Sequence, residues 1–169
     1  MIELILISLL ASIYIVYFYY WIRAFQISAP YYPTSKKAIN NMIESLSDYK
    51  VEHIIELGAG DGRVAIALAK KGYKVTAVEF NPILAFIILI KKYIGRHQNL
   101  HVIRKDFLKI SYKDYDAAFI YLYPKVMKKL SNKIRKEMRK GSVLISNTFE
   151  FHDIKAIKHS DKIHVYINE

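Results

Sequence analysis

The chain has 169 residues, with 26 Lys and Arg against 15 Asp and Glu, a net charge of +11, and no Cys. That length suits one domain rather than two, and the lack of Cys excludes a disulfide framework, Cys-ligated zinc and a thiol nucleophile. Six Gly and four Pro in a chain that is 53% hydrophobic also exclude collagen-like and disordered classes. A single globular domain remains, with room for a membrane segment.

The first element is apolar and long. Nineteen residues from Leu4 to Ile22 carry no charge, which as a helix spans roughly 28 Å, close to the ~30 Å hydrocarbon core of a bilayer. Tyr17, Tyr19, Tyr20 and Trp21 gather at its C-terminal end, the placement that amphipathic rings favour at headgroup level. A cleaved signal peptide would want a basic segment ahead of the apolar run; here Glu3 is the only early charge, and Arg23, Lys36 and Lys37 follow the run. The reading is a single-pass anchor over residues 1–25, touching lipid through 4–22. The positive-inside rule leaves the domain on the cytoplasmic side and the short N-terminus outside. Without Glu3, the remainder is one unit more positive than the whole chain. Such a charge suits anionic lipid, nucleic acid or acidic proteins without choosing among them.

Residues 26–33 (QISAPYYP) form a polar linker, with two prolines favouring an extended path. Residues 34–169 then form the domain. Thr34 is placed to N-cap a helix over 35–46, with Ile39, Met42, Ile43 and Leu46 on one face. Strands are expected at 53–57, 74–80, 100–104, 115–122 and 142–149, with a closing pair at 154–159 and 162–168 turned at Ser160-Asp161. Helices are expected over 63–71, from Asn81-Pro82 to about Tyr93, and over 125–140 with Gly141 as the stop. The run 83–90 (ILAFIILI) is too short to span a bilayer and is read as packed on the sheet, with lipid on one side as the alternative. The helix over 125–140 carries Val126, Met127, Leu130, Ile134 and Met138 inside. Its basic outer face is read as solvated, with anionic headgroups or an acidic substrate as the alternative. Strands alternating with helices imply an α/β, Rossmann-like fold with helices on both faces of a parallel sheet.

Chemistry is concentrated in Glu56-Leu57-Gly58-Ala59-Gly60-Asp61-Gly62-Arg63, between the first strand and the next helix. Glu79 follows at the end of the second strand, where a carboxylate can accept both hydroxyls of a ribose. The dinucleotide fingerprint would want Gly where Arg63 stands, and the Gly-Lys-Ser/Thr ending of a P-loop is missing. The pattern present, E-x-G-x-G-x-G, resembles the S-adenosylmethionine turn of class I methyltransferases. After the third strand, Asp106 is placed to bond the adenine amino group and Phe107 to pack on its ring. Tyr121 and Tyr123, at the end of the fourth strand, are the candidates for an acceptor channel, with plain packing as the alternative for either. No metal site is expected: the six His show no HExxH motif, and His152 and His159 are read as surface residues.

Pro30-Tyr31-Tyr32-Pro33-Thr34, the glycine turn, Val78-Glu79-Phe80-Asn81-Pro82, Asp106-Phe107 and the run 146–151 (SNTFEF) come in an order that resembles the archaeal protein lysine methyltransferases and their membrane-anchored mitochondrial relatives. The resemblance covers residues 30–169. It implies a seven-stranded class I methyltransferase, S-adenosylmethionine as cofactor, and lysine side chains of proteins as acceptors. It carries the cofactor site onto Tyr31, Thr34, Glu56, Gly58, Gly60, Asp61, Gly62, Glu79, Phe80, Asp106 and Phe107, with the segment holding Tyr31 and Thr34 closing over the cofactor. Tyr32 departs from the small aliphatic residue of that pattern, and 121–124 matches no family motif. The same run lacks the Asp/Asn-Pro-Pro-aromatic sequence of adenine-methylating enzymes, which counts against nucleic acid.

The leading expectation is therefore a membrane-anchored protein lysine methyltransferase whose partners are membrane-associated proteins. An RNA or DNA methyltransferase, a lipid or quinone methyltransferase, and a non-catalytic cofactor-binding scaffold at the membrane are the alternatives.

Overall fold

The computed structural model describes residues 2–27 and 32–169, with side chains described for 2–23 and 32–169. Helix α1 (Ile2–Ile27) is continuous into what the sequence suggested as linker. Its span Ile2–Arg23 is long and apolar enough to cross a membrane, and none of its most apolar window is buried against the domain.

Helix α2 (Lys36–Glu44) starts one residue later than expected: Ser35, not Thr34, is its N-cap, accepting from the Ala38 N–H. Thr34 is instead buried. Strands β1 (His53–Leu57), β2 (Lys74–Val78), β3 (Leu100–Ile103), β4 (Ala117–Ile120) and β5 (Val143–Asn147) alternate with helices α3 (Arg63–Lys70), α4 (Pro82–Ile94) and α5 (Pro124–Glu137). Strands β6 (Lys158–Ser160) and β7 (Ile163–Ile167) close the chain as an antiparallel hairpin. Asn81 caps α4 through two backbone N–H groups, with Pro82 at its first position. Helix α5 ends before Gly141. Met138 already has extended backbone and turns a buried side chain inward, so Gly141, at φ +84°, serves the turn into β5 instead.

The seven strands form one sheet in the order β3-β2-β1-β4-β5-β7-β6, parallel from β3 through β5, with β7 antiparallel. Core residues form one cluster on each face. Ile54, Leu68, Val75, Ile88 and Phe119 lie on one side, and Ile55, Leu57, Tyr112, Leu130 and Tyr166 on the other. Strand order reverses between β1 and β4, so the crevice for a ligand opens at the carboxyl ends of these strands.

Candidate active site

The glycine turn stands at that crevice. Gly62 has φ +78°, and a Cβ there would come within 2.8 Å of the Ile88 side chain, so the turn can press onto α4 only with glycine. Gly58 is held likewise at φ +75°, against Leu122. The residues facing the pocket at the strand ends include Thr34, Glu56, Gly58, Gly60, Asp61, Glu79, Phe80, Asp106, Phe107 and Tyr121. Gly62 supports that wall from behind, and Tyr31 lies outside the described residues.

Three carboxyl groups at the crevice behave differently. Glu79 accepts from the Gly60 N–H at 2.7 Å and from the Asn81 N–H at 2.8 Å, one on each oxygen. Burial pushes its pKa up against these donors. A carboxylate has about four acceptor directions, so room remains on it for a ligand donor. Glu56 is buried, and its Oε2 has no hydrogen-bond partner. Burial first, then repulsion from Glu79 and Asp61, raises its pKa to about 8 in spite of a backbone hydrogen bond from Ala65. Asp61 is the opposite case. Burial alone would raise its pKa, but donors from Arg63 (3.0 Å) and Lys91 (2.8 Å) prevail and hold it at about 2. Lys91 also donates to the Asp61 carbonyl at 2.9 Å, so this carboxylate ties the turn to α4.

Asp106 spends one oxygen on capping the short 3-10 turn Phe107–Lys109, accepting from the Leu108 N–H at 2.9 Å. Phe107 is buried at the pocket floor. The two tyrosines separate. Tyr121 faces the pocket, with its ring edge-on to Tyr32 and stacked near Phe149, both at 6.3 Å. Tyr123 is the residue before α5, is 51% exposed and packs on Phe149 from outside the pocket wall. Beyond Tyr121 a second hollow is lined by Lys37, Asn147, Thr148 and Asp161. Thr148 is a β-branched residue at φ +72°, a conformation that costs about 1–3 kcal/mol and clusters at functional sites.

Sequence reasoning missed part of the wall. Tyr17 and Trp21 from α1 face the pocket, and Tyr20 meets Phe80 edge-on at 5.8 Å. An aromatic cluster ending an apolar run reads as a headgroup belt, and nothing in the spacing tells which ring turns toward the domain. It also missed a cross-strand pair. His159 and His164 face each other in the β6–β7 hairpin, their Nδ1 atoms 2.8 Å apart, with Glu150 beside them. Two ligands on a tetrahedral ion at ~2.05 Å would stand roughly 3.3 Å apart. A hydrogen bond between the rings accounts for the shorter approach.

A mixed sheet of this order, parallel from β3 through β5, with a glycine turn at its switch point and a carboxylate after the next strand, defines a Rossmann-like domain of the class I methyltransferase type. An RNA methyltransferase from Salinibacter ruber, crystallised with S-adenosyl-L-homocysteine, has the same fold; the TM-score is 0.75 at 23% identity, covering 81% of this chain and 94% of that one. The ANTKMT methyltransferase domain profile matches residues 56–158, and the chain belongs to that family. It is similar to the ATP synthase C-subunit lysine N-methyltransferase of Caenorhabditis elegans, at 30% identity over 134 residues, covering 73% of this chain and 68% of that protein. The Mus musculus protein of the same description is 27% identical over 127 residues, covering 75% of this chain and 51% of its own length. The chain spans about half the length of the first curated relatives that it matches.

Proposed function

We propose that this chain is an S-adenosylmethionine-dependent methyltransferase that modifies lysine side chains of proteins at a membrane, held there by α1 with its domain on the cytoplasmic side. The observation that carries the cofactor reading is the unpartnered Glu56 Oε2 in a pocket that also presents Glu79. A buried carboxylate oxygen without a donor costs about 1–3 kcal/mol or more, and a ligand bearing an ammonium group removes that cost. Glu79, fixed by two backbone donors, offers its remaining lone pairs to a diol. Asp106 has an oxygen left for an amino group beside Phe107. The residues present therefore fit a nucleoside joined to an amino acid. When bound, that cofactor supplies a methyl group already activated on a sulfonium.

The chain's own contribution is alignment and desolvation. Tyr32, Tyr121 and Phe149 make an aromatic wall along which an extended aliphatic chain with a cationic tip can pass. Removal from water there favours the neutral amine over the ammonium, the form that has a free lone pair. The curated relatives named as lysine N-methyltransferases support this acceptor class. The apolar α1, with Lys and Arg only on its C-terminal side, supports the anchoring and the orientation.

The test uses the full chain in detergent or nanodiscs with methyl-tritiated cofactor, offered a membrane-protein extract, total RNA and lipid separately. Acid hydrolysis of labelled protein should release methyl-lysine. Label confined to RNA or to lipid overturns the acceptor assignment, and cofactor binding without any transfer overturns catalysis.

A further inference from the structure

We propose that the outer face of α4 is a lipid-docking surface that lies in the headgroup region of the bilayer entered by α1. The proposal rests on the anchor reading of α1 given above. Helix α4 buries Leu84, Ala85 and Ile88 against the sheet. Its opposite side leaves Phe86, Leu89, Ile90, Tyr93 and Ile94 exposed, with Tyr93 at 86% and Ile94 at 75%. These positions follow the i, i+3, i+4, i+7, i+8 spacing of one helical stripe. Among the described residues outside α1, five of the eight exposed large apolar side chains lie on this one helix, the other three being Tyr32, Tyr123 and Ile157. A contiguous apolar patch of this kind marks a surface made to be covered.

Continuity and charge identify the cover as lipid. Phe80, one residue before the Asn81 cap of α4, packs on Tyr20 near the end of the apolar run of α1, so α4 begins where the anchor leaves the hydrocarbon. No acidic residue occurs from Pro82 to Asn99, while Lys92 and Arg96 lie in the last turn and just beyond it; Lys91, in the same turn, is spent on Asp61. An apolar stripe edged by basic groups matches an anionic membrane surface. Thirteen residues extend ~20 Å, too short to span a bilayer and suited to lying in its plane. With α4 and the end of α1 seated on one surface, the pocket wall formed by Tyr17 and Trp21 stands near headgroup height. Acceptor lysines at that level are then the ones within reach.

The chain's single Trp, Trp21, makes the two readings separable. The full chain is placed in nanodiscs of phosphatidylcholine and phosphatidylglycerol whose acyl chains carry bromine near the headgroup. Quenching of Trp21 reports the anchor. In Tyr93→Trp, the added emission at position 93 should also fall about twofold and be shielded from aqueous iodide. Phe86→Glu combined with Ile94→Glu in that background should leave Trp21 quenched and expose position 93 to iodide. An unquenched Trp21 removes the anchor and the proposal with it. A quenched Trp21 with position 93 open to iodide overturns α4 docking alone. Shielding at position 93 that develops only as protein per disc rises assigns the face to a second copy and overturns the lipid. Quenching that survives both Glu substitutions overturns it as well.

Discussion

The two halves of the crevice are built on different principles. At the ends of β1 and β2, Glu79 and Asp61 are fixed by donors from backbone or neighbouring cations, and the glycines are fixed by close approach to Ile88 and Leu122. At the ends of β4 and β5 the wall is aromatic: Tyr121 and Phe149 meet by ring contact, and Thr148 holds a left-handed backbone. Hydrogen-bonded carboxylates define one ligand geometry narrowly, whereas ring packing tolerates a family of chains. A shared cofactor suits the first kind of surface, and a protein side chain approaching from outside suits the second.

Substitutions graded across the crevice break or sharpen that contrast. The largest effect is expected for Glu79→Ala, which removes the acceptor for both the Gly60 and Asn81 N–H groups along with the proposed diol contact. Cofactor affinity by calorimetry should fall at least about 100-fold, equivalent to ~2.7 kcal/mol. An unchanged affinity would remove Glu79 from the cofactor site. Next is Gly62→Ala, where the added Cβ meets Ile88 at 2.8 Å in a left-handed conformation. A loss of roughly 2–4 kcal/mol in unfolding free energy is expected in detergent.

The third is a pH effect centred on Glu56. Its pKa in the folded protein, about 8, lies above the ordinary 4.5, so the fold binds this proton more tightly than the unfolded chain does. The stability linked to that proton is present in full below about 4.5 and is lost as pH rises toward 8. A cationic ligand group at Glu56 favours the carboxylate, so cofactor affinity should climb by up to about tenfold per pH unit until it levels near 8. Glu56→Gln should flatten that profile; a slope that persists assigns the titration to another group.

Smaller effects belong to the acceptor half. Tyr121→Ala should lower kcat/KM for a lysine acceptor about tenfold while leaving cofactor affinity within about twofold, a loss of ~1.4 kcal/mol. Tyr123→Ala, at the exposed rim, should change either quantity by less than about threefold. Equal losses from the two tyrosines would mean that both line the channel.

What the sequence made legible follows the same division. The strand over 53–57, the Asn81 cap and the glycine turn have local chemical causes, and the structure has them where local rules put them. Two local errors arose where neighbouring residues compete for one task. Ser35 took the cap from Thr34, and Met138 left the helix for the core before Gly141 was reached. The site elements that escaped all depend on distant partners. Trp21 reaches the pocket from a helix whose composition speaks only of lipid, and His159 meets His164 by hairpin register. The wall that Phe149 and Tyr32 give to Tyr121 joins residues from three separate parts of the chain.

The Lys91 bridge to Asp61 constrains how this protein can evolve. On its inner side α4 must keep Ile88 over Gly62 and Lys91 on the turn. One inserted or deleted residue before them rotates that side by ~100° and carries both away from the turn. The outer stripe is locked in phase with the inner one. Drift on the outer face is therefore confined to exchanging one apolar side chain for another at fixed positions, and descendants of this sequence should vary there in identity while conserving spacing.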